Sequence, residues 1–137
     1  MKNFRNELRN YIKSTDSSRI IVPLNILNHD EIRELYCGSD IGLWQKATIS
    51  IQEGMGTGLP VIIENQPIVT HLIKNGYNGW SFDENNLTDI IESAVLDMIG
   101  KNQELRSSWR SELAGFNAAR LSYDKITEKI IQTVNTL

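Results

Sequence analysis

A chain of 137 residues that is 40% hydrophobic and 23% charged has the size and balance of a single globular domain. A formal net charge of −3, with Lys and Arg scattered along the sequence, argues against nucleic acid, whose backbone needs a concentrated basic surface. One cysteine, Cys37, excludes an intrachain disulfide, the polar start at 1–10 is unlike a signal peptide, and no apolar run nears the ~20 residues of a membrane helix, so a cytoplasmic domain without a membrane span is expected.

Phe4, Leu8, Tyr11 and Ile12 fall on one stripe of a helix. The Ile-Ile-Val run within Arg19–Leu24 reads as a buried strand. Asn28 with Glu31 three residues later is a capping box, and Ile32, Leu35 and Tyr36 give the following helix its apolar face. Asp40–Trp44 is a second short strand, and a helix follows over Ile49–Gly56. Gly58 suits the left-handed position that closes it, and Pro60 blocks its continuation. Val61–Ile63 is a third strand. A short helix over Val69–Lys74 ends at Asn75-Gly76, and Gly79–Phe82 is a fourth strand. From Leu87 the spacing is helical throughout: Leu87, Ile90, Ile91, Ala94, Met98 and Ile99 up to Gly100, then Leu105, Trp109, Leu113 and Phe116. After Ser122 as a cap come Ile126, Ile130 and Val134. Short all-apolar strands separated by helices imply a doubly wound α/β fold. The expectation is a Rossmann-like parallel sheet of about four strands, with helices on both faces and a helical C-terminal tail.

In open parallel sheets ligands bind at the carboxyl ends of the strands, and phosphates favour helix N-termini, where unpaired amides and the helix dipole attract negative charge. The junctions after Leu24, Trp44 and Ile63 qualify. The middle one, Trp44-Gln45-Lys46-Ala47-Thr48 leading into Ile49-Ser50-Ile51, is richest in donors. Glu53, about one turn on, is placed either to accept hydrogen bonds from ribose hydroxyls or simply to cap or solvate the helix. Gly54 and Gly56 allow close helix–sheet packing. They lie inside the helix rather than before it, so they form no dinucleotide-binding fingerprint. Trp44 is expected either to wall a ligand cleft or to pack in the core, whereas Trp80 and Trp109 read as core. His29 reads as a polar residue at a helix start and His71 as a surface residue. The two histidines and single cysteine offer no zinc set, and no D-x-D motif occurs, so no metal is expected.

The order Leu35-Tyr36, Ser39-Asp40, Ile41–Trp44, then Ile51-Gln52-Glu53-Gly54-Met55-Gly56-Thr57-Gly58-Leu59-Pro60-Val61-Ile62 resembles the C-terminal donor domain of GT-B glycosyltransferases, above all the retaining family 4 (group 1). Gly76-Tyr77-Asn78-Gly79-Trp80 is similar to that family's Asp-Gly-x-Asn-Gly turn, and Ser122-Tyr123 with Ile126 and Ile130 to its closing helix. The resemblance runs from about Arg19 to Val134. It implies metal-independent transfer from a nucleoside-diphosphate sugar, without a cofactor, to an acceptor that neither composition nor motif identifies.

The same resemblance assigns roles. Glu53 matches the second glutamate of the family's E-x7-E motif, which binds the donor's ribose. The first falls on Gln45, at the weakly supported catalytic position, where the negative charge is lost and an oxocarbenium-like centre gains no electrostatic stabilisation. Thr48, Ile49 and Ser50 match the phosphate-facing turn. Lys46 is placed either to neutralise the diphosphate or to sit solvated, and the loop Asn25-Ile26-Leu27, Ile26 included, lies where the family holds the base. The family's acceptor domain and the first two strands of its donor domain have no counterpart here. Residues 1–137 are therefore expected to form a single partial donor domain. Either Arg19–Leu24 and Asp40–Trp44 then pair directly, or an acceptor domain, a partner chain or self-association completes the sheet, since a gap would expose backbone of two buried strands. Gln45 and the missing strands leave an alternative: a non-catalytic, degenerate nucleotide-sugar-binding or interaction module. A flavodoxin-like phosphoacceptor is disfavoured, because Leu24-Asn25 supplies no acidic cluster.

Overall fold

The computed structural model describes residues 27–136. The helix expected over Phe4–Ile12, the strand over Arg19–Leu24, its pairing and Ile26 lie outside the described residues.

Helix α1 spans His29–Gly38 and begins as its sequence dictates. Asn28 Oδ1 accepts from the Glu31 N–H at 3.0 Å while the Glu31 carboxylate accepts from the Asn28 N–H at 2.8 Å, so two orphan donors of the first turn are satisfied reciprocally. Strand β1 covers Gly42–Trp44, shorter than expected. Its first ladder-side bond is from the Gly42 N–H to the Pro60 carbonyl at 3.0 Å, which leaves Asp40 outside the strand and exposed. Helix α2, Ile49–Gly56, has the expected bounds, and Gly58 closes it with φ 77°. Strand β2 covers Val61–Glu64 and β3 covers Gly79–Phe82.

Between them the short helix α3 is Pro67–Thr70, not Val69–Lys74. Pro67 pre-sets the first helical φ. Downstream, the buried Asn78 side chain takes over the backbone: its Oδ1 accepts from the Lys74 N–H at 2.7 Å and its Nδ2 donates to the Leu72 carbonyl at 3.0 Å. Helices α4 (Leu87–Ile99), α5 (Gln103–Leu121) and α6 (Tyr123–Asn135) complete the chain.

Among the described residues the sheet has three parallel strands in the order β1-β2-β3, fewer than the four expected. Gly42, Leu43 and Trp44 face Val61, Ile62 and Ile63, and Val61–Glu64 face Gly79–Phe82 in turn. Alternation along β2 builds two cores. Val61 and Ile63 point to one side, with Ile51 and Met55 of α2, Val69 of α3, and Leu72. Ile62 points to the other, with Trp80 and Phe82 of β3 and Ala94 of α4, and Trp109 of α5 leans on this cluster. Each fully buried Val or Ile contributes about 1.5–3 kcal/mol, so the two clusters hold helices to both faces. Trp80 and Trp109 meet edge to face at 6.5 Å, in the core positions expected of them. The C-terminal helix α6 is present, but none of its residues is buried.

Candidate functional site

The carboxyl end of β1 delivers the chain into the exposed loop Gln45–Thr48 and then into α2. Thr48 takes the extended N-cap conformation, yet its side chain makes no capping bond. It shares a hydrogen bond with the Ser50 hydroxyl instead. The first backbone bond of the turn runs from the Ile51 N–H to the Thr48 carbonyl at 3.2 Å. The amides that precede it are the ones a helix start leaves for a ligand or water. Ile49 is 63% exposed at this helix start. Gln45 and Lys46 are exposed on the loop, and among the described residues neither makes a side-chain hydrogen bond or ion pair.

Trp44 packs on the core cluster of α2 and β2. Its ring lies over two glycines: a Cβ on Gly54 would stand 2.9 Å from Trp44 Cη2, and one on Gly42 would overlap the ring outright. Core packing thus accounts for Trp44 and for Gly54 together. The indole also reaches the loop's far end, Nε1 donating to Ser50 Oγ at 2.9 Å.

Glu53 is exposed on α2 and lines the groove between α1 and α2, a cavity of about 200 Å³ shared with His29, Ile32, Arg33, Tyr36 and Thr57. It lies beyond the first turn, and among the described residues its side chain forms no hydrogen bond or ion pair, so the capping role falls away. Burial, aided by the nearby Glu53 carboxylate and opposed by Ser50, pushes the Tyr36 phenol above its ordinary range. The Tyr36 ring in turn meets Trp44 at 6.0 Å. The structure therefore brings Glu53, Ser50, Tyr36 and Trp44 into one neighbourhood.

Apart from Glu53, none of the groove's lining residues was expected as a site residue from the sequence. His29, Arg33 and Tyr36 follow the i, i+4, i+7 spacing of one helical face, opposite the i, i+4 pair Glu53 and Thr57. That spacing is a readable signal, but only once the two helices are known to be neighbours. His71 stays at the surface at the end of α3, where its carbonyl accepts from Arg120 Nη2 at 2.9 Å. A wider apolar cavity of about 830 Å³ runs beside β1 and α1, lined by Leu27, Leu35, Leu43, Trp44 and Leu59 among others. Among the described residues no group of three or more His, Cys, Asp or Glu is placed to hold a metal ion, and no helix is long and apolar enough to cross a membrane.

A parallel sheet wound on both faces, with a helix starting directly after the β1 loop, defines a Rossmann-like α/β domain. The sequence model of the family described as Glycosyl transferases group 1 matches residues 2–113, and the chain belongs to that family. The domain is thereby one of the transferases that move glycosyl groups. The match ends within α5, so α6 lies beyond it. Neither a curated protein nor a solved structure gave a significant match.

Proposed function

We propose that the chain is the donor-binding domain of a retaining, metal-independent GT-B glycosyltransferase. It takes a nucleoside-diphosphate sugar as substrate and needs no cofactor. The observation that carries this reading is Glu53: an exposed carboxylate without an ion-pair partner among the described residues, facing the α1–α2 groove, on a helix whose N-cap side chain leaves the first turn uncapped. A carboxylate accepts two hydrogen bonds from vicinal ribose hydroxyls, and the opening of α2 suits a diphosphate.

In this reading the amides of Thr48, Ile49 and Ser50 hold the phosphates, Lys46 adds a positive charge, and Ile26 contacts the base. Gln45 faces the donor sugar at the reacting centre. Transfer requires an acceptor domain, on the same polypeptide or another. The apolar cavity beside β1, with Leu43 53% exposed, is the side on which the sheet is completed, by the Arg19–Leu24 segment itself, by such a domain or by a second copy. The work is proposed to take place in the cytoplasm.

A second reading is favoured by one observation, the neutral Gln45 in place of the family's glutamate: a non-catalytic nucleotide-sugar-binding module. Calorimetric titration with UDP, GDP and ADP, on the wild type and Glu53→Ala, tests the donor site. One nucleotide binding the wild type and losing affinity in the variant supports it, and binding of none overturns it. Donor hydrolysis by a chain that binds, alone and with an acceptor-domain partner, separates enzyme from module.

A further inference from the structure

We infer that Arg110, remote in sequence from every site residue, is a positioning residue that fixes the α1–α2 groove around Glu53. This inference rests on the donor-site reading of that groove.

Helix α1 ends at Ser39 in an extended conformation, so its last carbonyls lack their i+4 donors, the Tyr36 carbonyl keeping only a long 3.4 Å bond from the Ser39 N–H, and its last turn carries no basic residue of its own. Arg110 on α5 supplies both. Its Nη1 donates to the Cys37 carbonyl at 2.9 Å and the Ser39 carbonyl at 2.7 Å, and its Nη2 donates to the Tyr36 carbonyl at 2.8 Å. A guanidinium is planar and permanently charged, so it satisfies several carbonyls at once and sits favourably at the negative end of the helix dipole. The backbone of the same residue bears on the other helix of the groove. Gly58, which closes α2, lies so near the Arg110 carbonyl that a Cβ there would overlap it.

One residue thus touches the C-terminal ends of both helices that form the groove. Tyr36 transmits the effect. Its carbonyl is held by Arg110, its ring leans on Trp44, and it lines the cavity together with Glu53. Releasing the end of α1 would shift Tyr36 relative to Glu53 while leaving both cores intact, because α1 has no buried residue. Loss of a purely stabilising arginine would lower the unfolding temperature and leave the groove as it is.

The test compares the full chain with Arg110→Gln and Arg110→Lys by titration with UDP, GDP and ADP, well below each unfolding temperature, and by the NMR signals of the Tyr36 ring, assigned through Tyr36→Phe. Positioning predicts that Arg110→Gln weakens whichever nucleotide binds by about tenfold to a hundredfold, the scale of a small displacement transmitted from a distance. It also predicts moved Tyr36 ring signals and partial recovery in Arg110→Lys, which keeps the charge. Unchanged affinity and unmoved ring signals in a folded Arg110→Gln overturn it. Should Arg110→Gln not fold, Arg110→Lys carries the comparison. Should the wild type bind none of the three nucleotides, the donor-site reading falls by itself. The positional claim is then judged on the Tyr36 ring alone, a shift supporting it and no shift overturning it.

Discussion

The Trp44 indole donates a 2.9 Å hydrogen bond to the Ser50 hydroxyl, latching the last residue of β1 to the first turn of α2. The ring that makes this bond lies over Gly54 in the same helix. On helix propensity alone, Gly54→Ala should stabilise α2 by about 1 kcal/mol. The slot for the indole reverses the sign: a methyl there displaces Trp44, and urea unfolding is expected to register a net loss of about 1–3 kcal/mol, the usual cost of overpacking. A more stable variant would mean the indole does not occupy the slot.

Gly58 and Gly76 form a matched pair with φ of 77° and 74°. A side chain at Gly76 meets nothing within 4 Å, whereas one at Gly58 meets the Arg110 carbonyl. Gly76→Ala therefore carries only the left-handed conformational cost, about 1–2 kcal/mol. Gly58→Ala adds a forced separation of α5 from the end of α2 and is expected to lose at least about 2 kcal/mol more. Equal losses, measured as denaturant midpoints at constant slope, would show that α5 does not bear on Gly58.

Local signals were legible in the sequence where they are short-range. The Asn28–Glu31 capping box, the bounds of α2 and β3, the Gly58 turn and the apolar run of β2 all follow from residues a few positions apart. What stayed hidden is long-range. Beyond the end of α3 the Asn78 side chain bonds the backbone at Leu72 and Lys74 where a helix was expected, and no periodicity encodes that. The Arg110 fork reaches carbonyls 71 to 74 residues away. Of the candidate site, the sequence offered Glu53 and the α2 start through motif spacing, whereas the α1 face opposite Glu53 needed the helix pairing itself. The weak amphipathic signals at β1 and α3 reflect elements of three and four residues, too short to show a period.

Asn78 and Asn117, 0% and 1% exposed, join α5 to the last turn of α2 and to the turn after α3. Asn78 Nδ2 donates to Asn117 Oδ1 at 3.3 Å, and Asn117 Nδ2 donates to the Met55 carbonyl at 2.8 Å. Asn78→Ala strands the Lys74 N–H, the Leu72 carbonyl and one side of Asn117, and a loss of about 2–4 kcal/mol is expected in chemical unfolding. The exposed Asn85 changed to Ala serves as the near-neutral control.

Two tyrosines give the chain an alkaline limit. The Tyr36 phenol is raised chiefly by burial, with Glu53 adding to it, and the Tyr77 phenol is raised chiefly by the hydrogen bond it donates to Glu112. The folded chain therefore holds these protons more tightly than the unfolded chain does. The resulting stability is complete below the ordinary tyrosine pKa of about 10 and is lost as pH rises through the folded values. Unfolding temperature should fall over that window, less steeply in Tyr36→Phe, and least in the double variant with Tyr77→Phe. An unchanged slope in the double variant would remove these two groups from the account.

In the proposed donor site a nucleoside diphosphate sits at the opening of α2 with its ribose on Glu53. Amide NMR titration of the full chain with UDP, GDP and ADP reads this most directly, residue by residue. Saturable shifts are expected for one nucleotide, concentrated at Thr48, Ile49, Ser50 and Glu53 and extending to Tyr36 and His29 across the groove. Shifts clustered elsewhere, or none that saturate with any of the three, would contradict the proposed site.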